Sequence, residues 1–224
     1  MKQVIQIRCK NNKKSQKVEI GSTLFDIFSA FDLKMTHGPV SARVNNKVEG
    51  MHYRVYNSKD VEFLDMTSSS GSRAYTRTLF FVLCKAVQDI YPATDVVIDI
   101  PVSNGFYVDI RLGRPVVDED VNIIRRRMQE IIDARMPIRR FTVPTEEAVA
   151  LFQEKGDVEK VKLLKTSGSI YTTYYKIGDY VDYYYGTLLT NTSQLYLFGL
   201  EKYYDGMLLR IPSLKNPDVL GEMT

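Results

Sequence analysis

Two groups of residues have the types and spacing for binding chemistry. Arg125-Arg126-Arg127, followed closely by Arg139-Arg140, gathers guanidinium groups that can grip phosphates through paired hydrogen bonds. The same run also fits a solvated helix face whose charges pair with Glu130 and Asp133. The second group is aromatic: ten of the 15 tyrosines fall between Tyr171 and Tyr204, Tyr183-Tyr184-Tyr185 among them. Aromatic rings stack on bases, but tyrosine is also a favoured strand residue. Successive strand residues face opposite sides, so the triple cannot line one groove, and sheet surface is the simpler reading. Catalytic groups are scarce. The histidines are His37 and His52 and the cysteines Cys9 and Cys84, none spaced as a helix-borne pair of zinc ligands. His37, before Gly38-Pro39, and His52, near Gly50, read as loop residues, and Cys84 reads as core. A Ser-His-Asp site has little to draw on. No phosphate-cradling G-x-x-x-x-G-K-[ST] occurs, and no G-x-G-x-x-G follows a strand. Asp118, Glu119 and Asp120 read as acids at a positive helix start.

The elements that must hold these residues belong to an ordinary globular composition. The 224 residues are 44% hydrophobic and 25% charged, which excludes disordered, collagenous and disulfide-scaffold classes and suits one large or two modest domains. A net charge of +3 is no argument for nucleic acid. Two cysteines make no disulfide framework, so a reducing cytoplasm is the expected setting. The longest wholly apolar run, Leu79 to Cys84, is far too short for a bilayer span, and no membrane partner is expected.

Thr67-Ser68-Ser69-Ser70-Gly71-Ser72 reads as a flexible linker at 67–72, dividing the chain into 1–66 and 73–212, with a tail at 213–224. The first part predicts strands at Val4–Arg8 and Gln16–Ile20. A helix follows, in which Thr23 and Asp26 form a capping box and Leu24, Phe25, Ile27, Phe28 and Phe31 make an apolar face. Short strands at Ser41–Val44, Tyr53–Val55 and Val61–Leu64 complete a β-grasp (ubiquitin-like) pattern. The second part predicts a helix at Arg73–Tyr91, a hairpin at Thr94–Val102 and Phe106–Ile110 turning at Asn104-Gly105, and a helix at Glu119–Arg135 capped by Asp118. A strand at Phe141–Val143, a helix capped by Thr145 and another at Asp157–Leu164 come next. Strands at Tyr171–Lys176, Tyr180–Tyr185, Leu195–Phe198 and Met207–Ile211 end the pattern. The fold class is α+β.

Order and motifs together resemble a known family. Residues 1–66 are similar to a TGS domain, with Val18-Glu19-Ile20-Gly21-Ser22-Thr23 and Phe25-Asp26-Ile27 at its strand-to-helix junction. Residues 73–212 resemble the second N-terminal domain of threonyl-tRNA synthetase, which edits mischarged tRNA. Asn104-Gly105-Phe106-Tyr107-Val108-Asp109 is close to that family's N-G-F-Y-Y-D. Pro137-Ile138, Thr145-Glu146-Glu147-Ala148, Leu151-Phe152 and Gly178-Asp179-Tyr180-Val181-Asp182 continue the match in order.

The editing domain carries H-x-x-x-H on its first helix and C-x-x-x-H after the Asp. In the resemblance these pairs fall on Arg77 and Phe81, and on Tyr184 and Leu188. Neither Arg nor Phe replaces imidazole as ligand or base, so lost editing chemistry is implied, with Asp182 alone retained. No catalytic or metal residue is expected. Arg77, Tyr107, Asp182 and Tyr184 are the candidate ligand-binding residues of the former cleft, and Arg125, Arg126 and Arg127 the candidate phosphate or RNA contacts. Such a domain pair resembles the N-terminal half of uridine kinase-like nucleoside kinases of Bacteroides-type bacteria. That resemblance implies a C-terminal P-loop kinase domain using ATP and Mg²⁺, no cofactor in this chain, and a regulatory role binding nucleotide or RNA. The alternatives are a free-standing tRNA-binding module and an editing hydrolase acting through new residues.

Overall fold

Alternation turns one face of the first strand inward: in β1 (Val4–Cys9), Ile7 and Cys9 are buried and Ile5 packs beside them. The computed structural model describes residues 3–102 and 105–222. After β1 come β2 (Ser15–Glu19), β3 (Ser22–Thr23), α1 (Leu24–Ala30), β4 (Ser41–Val44), β5 (Lys47–Glu49), β6 (Arg54–Val55) and β7 (Lys59–Leu64). Five of these strands form a sheet in the order β2-β1-β7-β4-β5, with β7 parallel to β1 and the other pairs antiparallel. A hairpin, a helix, and a final strand returning beside the first make a β-grasp arrangement. The start of α1 is fixed as its residues predict, by a capping box: Asp26 N–H donates to Thr23 Oγ1 at 3.2 Å and Thr23 N–H to Asp26 Oδ2 at 2.8 Å. Leu24, Ile27 and Phe31 pack with Ile7, Val61 and Phe63 in one apolar core.

α2 (Ser69–Ile90) begins inside the expected linker and corrects it. Ser68 Oγ accepts the Gly71 N–H at 3.0 Å, an N-cap that composition alone reads as flexibility. A Cβ at Gly71 would lie 1.8 Å from the Asp65 carbonyl oxygen, so glycine is there for close approach of backbone. β8 (Val96–Val102) and β9 (Gly105–Ile110) follow; Asn104, half of the expected turn, lies outside the described residues. α3 (Asp118–Asp133) packs on α2. Its cap comes from Asp120, not Asp118: Oδ2 of Asp120 accepts Val117 N–H at 2.9 Å.

The chain next forms β10 (Arg139–Pro144), α4 (Thr145–Glu154), α5 (Val158–Thr166), β11 (Tyr171–Ile177) and β12 (Tyr180–Tyr183). Thr145 is the first residue of α4, not its cap; its hydroxyl donates to the Ser169 carbonyl at 2.6 Å. After a 3₁₀ turn at Thr192–Gln194 come β13 (Gly199–Tyr203) and β14 (Gly206–Arg210), which join β9 and β8 in an antiparallel sheet ordered β13-β14-β9-β8. Leu195–Phe198 is not a strand. The buried Tyr75 hydroxyl accepts the Tyr196 and Leu197 amides at 3.0 Å and donates to the Leu197 carbonyl at 2.8 Å, doing for this backbone what a neighbouring strand would do. Residues 213–222, expected as a tail, fold back. Ser213 N–H donates to the Val219 carbonyl, Gly221 N–H to the Ile211 carbonyl, and the Arg210 guanidinium to the Gly221 carbonyl.

The chain divides into two units, Met1–Met136 with Thr187–Thr224, and Pro137–Gly186. The smaller is the sheet β10-β11-β12 with α4 and α5, around Ala148, Phe152, Leu164 and Val181. Among the described residues no helix is long and apolar enough to cross a membrane.

Candidate functional site

Arg77 and Phe81 sit one turn apart on α2, the spacing that puts two side chains on one helix face. Phe81 has no solvent exposure and Leu188 only 2%. Leu189 N–H donates to Thr78 Oγ1 at 2.9 Å, and that hydroxyl donates to the Ala74 carbonyl at 2.8 Å. The segment carrying Leu188 is therefore pinned to α2 beside Arg77. Three of the four aligned positions thus come together, and two of them are filled by apolar side chains buried like core. Arg77 itself is half-buried.

Tyr107 lies in the same unit, on β9 opposite Leu208 of β14. Its ring meets Tyr203 edge to face at 6.3 Å and covers Gly206, where a Cβ would fall 2.7 Å from its hydroxyl oxygen. Burial, then Asp109 and Asp205, push its hydroxyl pKa up, so the phenol stays protonated.

Asp182 and Tyr184 belong to the smaller unit. Asp182 is buried and fully engaged. Oδ1 contacts Lys160 Nζ at 2.8 Å and accepts Tyr183 N–H at 2.6 Å, and Oδ2 accepts the Tyr180 hydroxyl at 2.9 Å. Lys160 is the residue missed from sequence. It also contacts Asp157 Oδ2 at 2.8 Å, and Asp157 caps α5 by accepting Lys160 N–H. Burial alone would lower the Lys160 pKa, but the charges and hydrogen bonds of Asp182 and Asp157 outweigh it and raise it. The Asp157-x-x-Lys160 spacing at a helix start was the available signal. Tyr184 follows β12 and is half-buried.

The arginine run divides by function. Arg127 bonds Asp89 at 2.9 Å and Glu130 at 2.8 Å, a surface ion-pair group. Arg125 and Arg126 are exposed; Arg125 donates to Asn122 at 2.9 Å, and Arg126 makes no ion pair among the described residues. Both border an open hollow of about 490 Å³ with Glu119, Asn122 and Gln129. Arg139 and Arg140 lie on β10 of the other unit. His37 stacks on Tyr196 at 3.6 Å and bonds Asp218 at 2.7 Å, while His52 meets Phe25 edge-on. Among the described residues no group of three or more His, Cys, Asp or Glu could hold a metal.

These features define an α+β chain with a β-grasp sheet followed by two further sheets and their helices. No protein-family model matches it. It is similar to threonine–tRNA ligases: 30% identical to that of Clostridium kluyveri over 85% of this chain and 30% of the ligase. The Syntrophotalea carbinolica ligase is 30% identical over 86% of this chain and 32% of the ligase, and the Acetivibrio thermocellus ligase 29% over 80% and 28%. The chain therefore spans about a third or less of the length of these relatives. Similarity over four-fifths of the chain supports its reading as a region like the N-terminal part of a threonyl-tRNA synthetase.

Proposed function

We propose that the chain is a tRNA-related binding module, its β-grasp part a TGS domain, in which tRNA-editing chemistry has been lost. The observation that carries this is the joint burial of Phe81 and Leu188 at positions where the resembling editing domain has imidazoles. A phenyl and an isobutyl group supply neither a metal ligand nor a proton acceptor. Arg77 and Tyr107 are then candidate ligand contacts of the larger unit and Tyr184 one of the smaller, where Asp182 holds Lys160 in place. Incubated with mischarged seryl-tRNA, the chain is expected to release no serine above the blank; release would overturn the reading. Titration with tRNA at two salt concentrations is expected to show salt-sensitive binding that weakens in Arg126→Glu. No binding at low salt would remove it.

A second reading places the same module at the N-terminus of an ATP- and Mg²⁺-dependent nucleoside kinase of the uridine kinase type, as its regulatory region. It is favoured by the pairing of a β-grasp sheet with an editing-like fold lacking its imidazoles. Immunoblotting of source cells tests it: a band well above 25.7 kDa that copurifies with uridine phosphorylation supports it, and a band at 25.7 kDa overturns it.

A further inference from the structure

The smaller unit carries a cross-strand arrangement that folding alone does not favour. On β10 and β11, Arg139 pairs with Lys176 and Phe141 with Tyr174. Directly opposed residues share a face of the sheet, and so do residues two apart on one strand, so all four side chains stand on the same face. Arg139 and Lys176 are both exposed, and neither makes an ion pair among the described residues. Like charges directly opposite destabilise a sheet, and among the described residues no acid is ion-paired to either; the acid felt on this face is Glu147, which after burial helps raise the Tyr174 pKa. Beside this pair, Phe141 and Tyr174 stack with centroids 5.2 Å apart and planes 16° apart. Tyr174 is anchored on the apolar cluster of α4 and α5, whereas Phe141 lies outside that cluster on the edge strand, half-buried. A row of unneutralised cations next to an anchored aromatic stack is what a nucleic-acid strand requires: phosphate sites flanking a ring on which a base can lie.

We propose that this edge of the β10-β11-β12 sheet binds single-stranded RNA, with Arg139 and Lys176 on successive phosphates and Phe141 under a base. The inference rests on the reading of the chain as a tRNA-related module and gives that module a surface separate from Arg125 and Arg126.

The test is fluorescence anisotropy of a labelled oligouridylate, and of tRNA, with the whole chain at several salt concentrations. Arg139→Gln/Lys176→Gln is expected to flatten the slope of log K against log salt by about 1.4, two single-strand contacts at about 0.7 each. Phe141→Leu is expected to weaken oligouridylate binding by about fivefold or more with little change of slope. Lys176→Glu distinguishes a binding role from a folding one. It creates an opposite-charge pair with Arg139, so the melting temperature is expected to rise by about 1–3 °C while RNA affinity falls about tenfold. Variants that bind oligouridylate as the wild type does would overturn this surface while leaving the module reading standing. Equal displacement of the RNA by polyglutamate would also overturn it, since the site would then select charge and not bases. A wild-type chain that binds neither tRNA nor oligouridylate at low salt would remove the module reading, and this surface with it.

Discussion

The β-grasp sheet and the 137–186 unit are held by different physics. The former gathers twelve buried residues, Ile7 to Phe63, in one apolar cluster, whereas the cluster between α4, α5 and the three-stranded sheet has four. The smaller unit makes up part of the difference with charge. Lys160 reaches two carboxylates and lies 5.8 Å from the Phe152 ring centre, and Asp182 beneath it accepts two further hydrogen bonds. A sheet stabilised by area loses stability when volume is removed. A unit fastened by an ion-pair network loses it when one charge is removed, because the partner stays behind unsatisfied.

The largest expected effect comes from removing volume: Phe63→Ala should cost about 3–5 kcal/mol in urea unfolding. A loss below about 1 kcal/mol would show that the β-grasp cluster is not what holds the sheet. Next is Phe81→His, which restores the residue type of the editing family to a fully buried site. A polar ring in a volume packed for a phenyl should cost about 2–4 kcal/mol. A neutral result would mean that residue 81 borders open space, and the case for lost editing chemistry would weaken. Asp182→Asn should cost about 1–3 kcal/mol, read as faster amide exchange confined to residues 137–186. Equal loss of protection in the β-grasp strands would erase the contrast between the two regions.

Acid and alkali sharpen it further. Arg114 first, then Tyr91 and the Val117 amide, hold the Asp120 carboxyl of the larger unit well below the usual carboxylate range against the opposing effect of burial. Its contribution is present above about pH 4 and lost as pH falls through the depressed folded value. Lys160 has the opposite sign: its raised pKa makes its contribution full below about pH 10.4 and lost at higher pH. Asp120→Asn should therefore flatten the acid limb of the stability profile and Lys160→Met the alkaline limb. The smallest effect is Thr23→Ala, about 1 kcal/mol for the lost cap of α1.

Local chemistry was legible in several places where the partners are close in chain. Thr23 and Asp26 specify their capping box, alternation placed β2, and β-prone composition placed β1 and β11. The burial of Ile124, Met128, Ile131 and Ile132 follows from their spacing on α3. Some local readings failed as well: Ser68–Ser72 looks like a linker because composition does not show that Ser68 caps a helix by accepting the amide three residues on, where Gly71 closes on Asp65. Leu195–Phe198 has strand composition but spends its amides on Tyr75, more than a hundred residues away in sequence.

The candidate site divides in the same way. The amino-acid sequence by itself determined that imidazole and thiol are missing from the aligned positions, that arginine and tyrosine are abundant, and that the pattern is α+β. Only the tertiary structure decided that Phe81 and Leu188 are packed as core, that Asp182 is committed to Lys160, and that Arg127 is neutralised while Arg126 is not. It also decided that Arg139 and Lys176 confront each other across a sheet. The physical reason is that residue type and short-range period are properties of the chain, whereas burial and charge pairing depend on which distant residue arrives alongside.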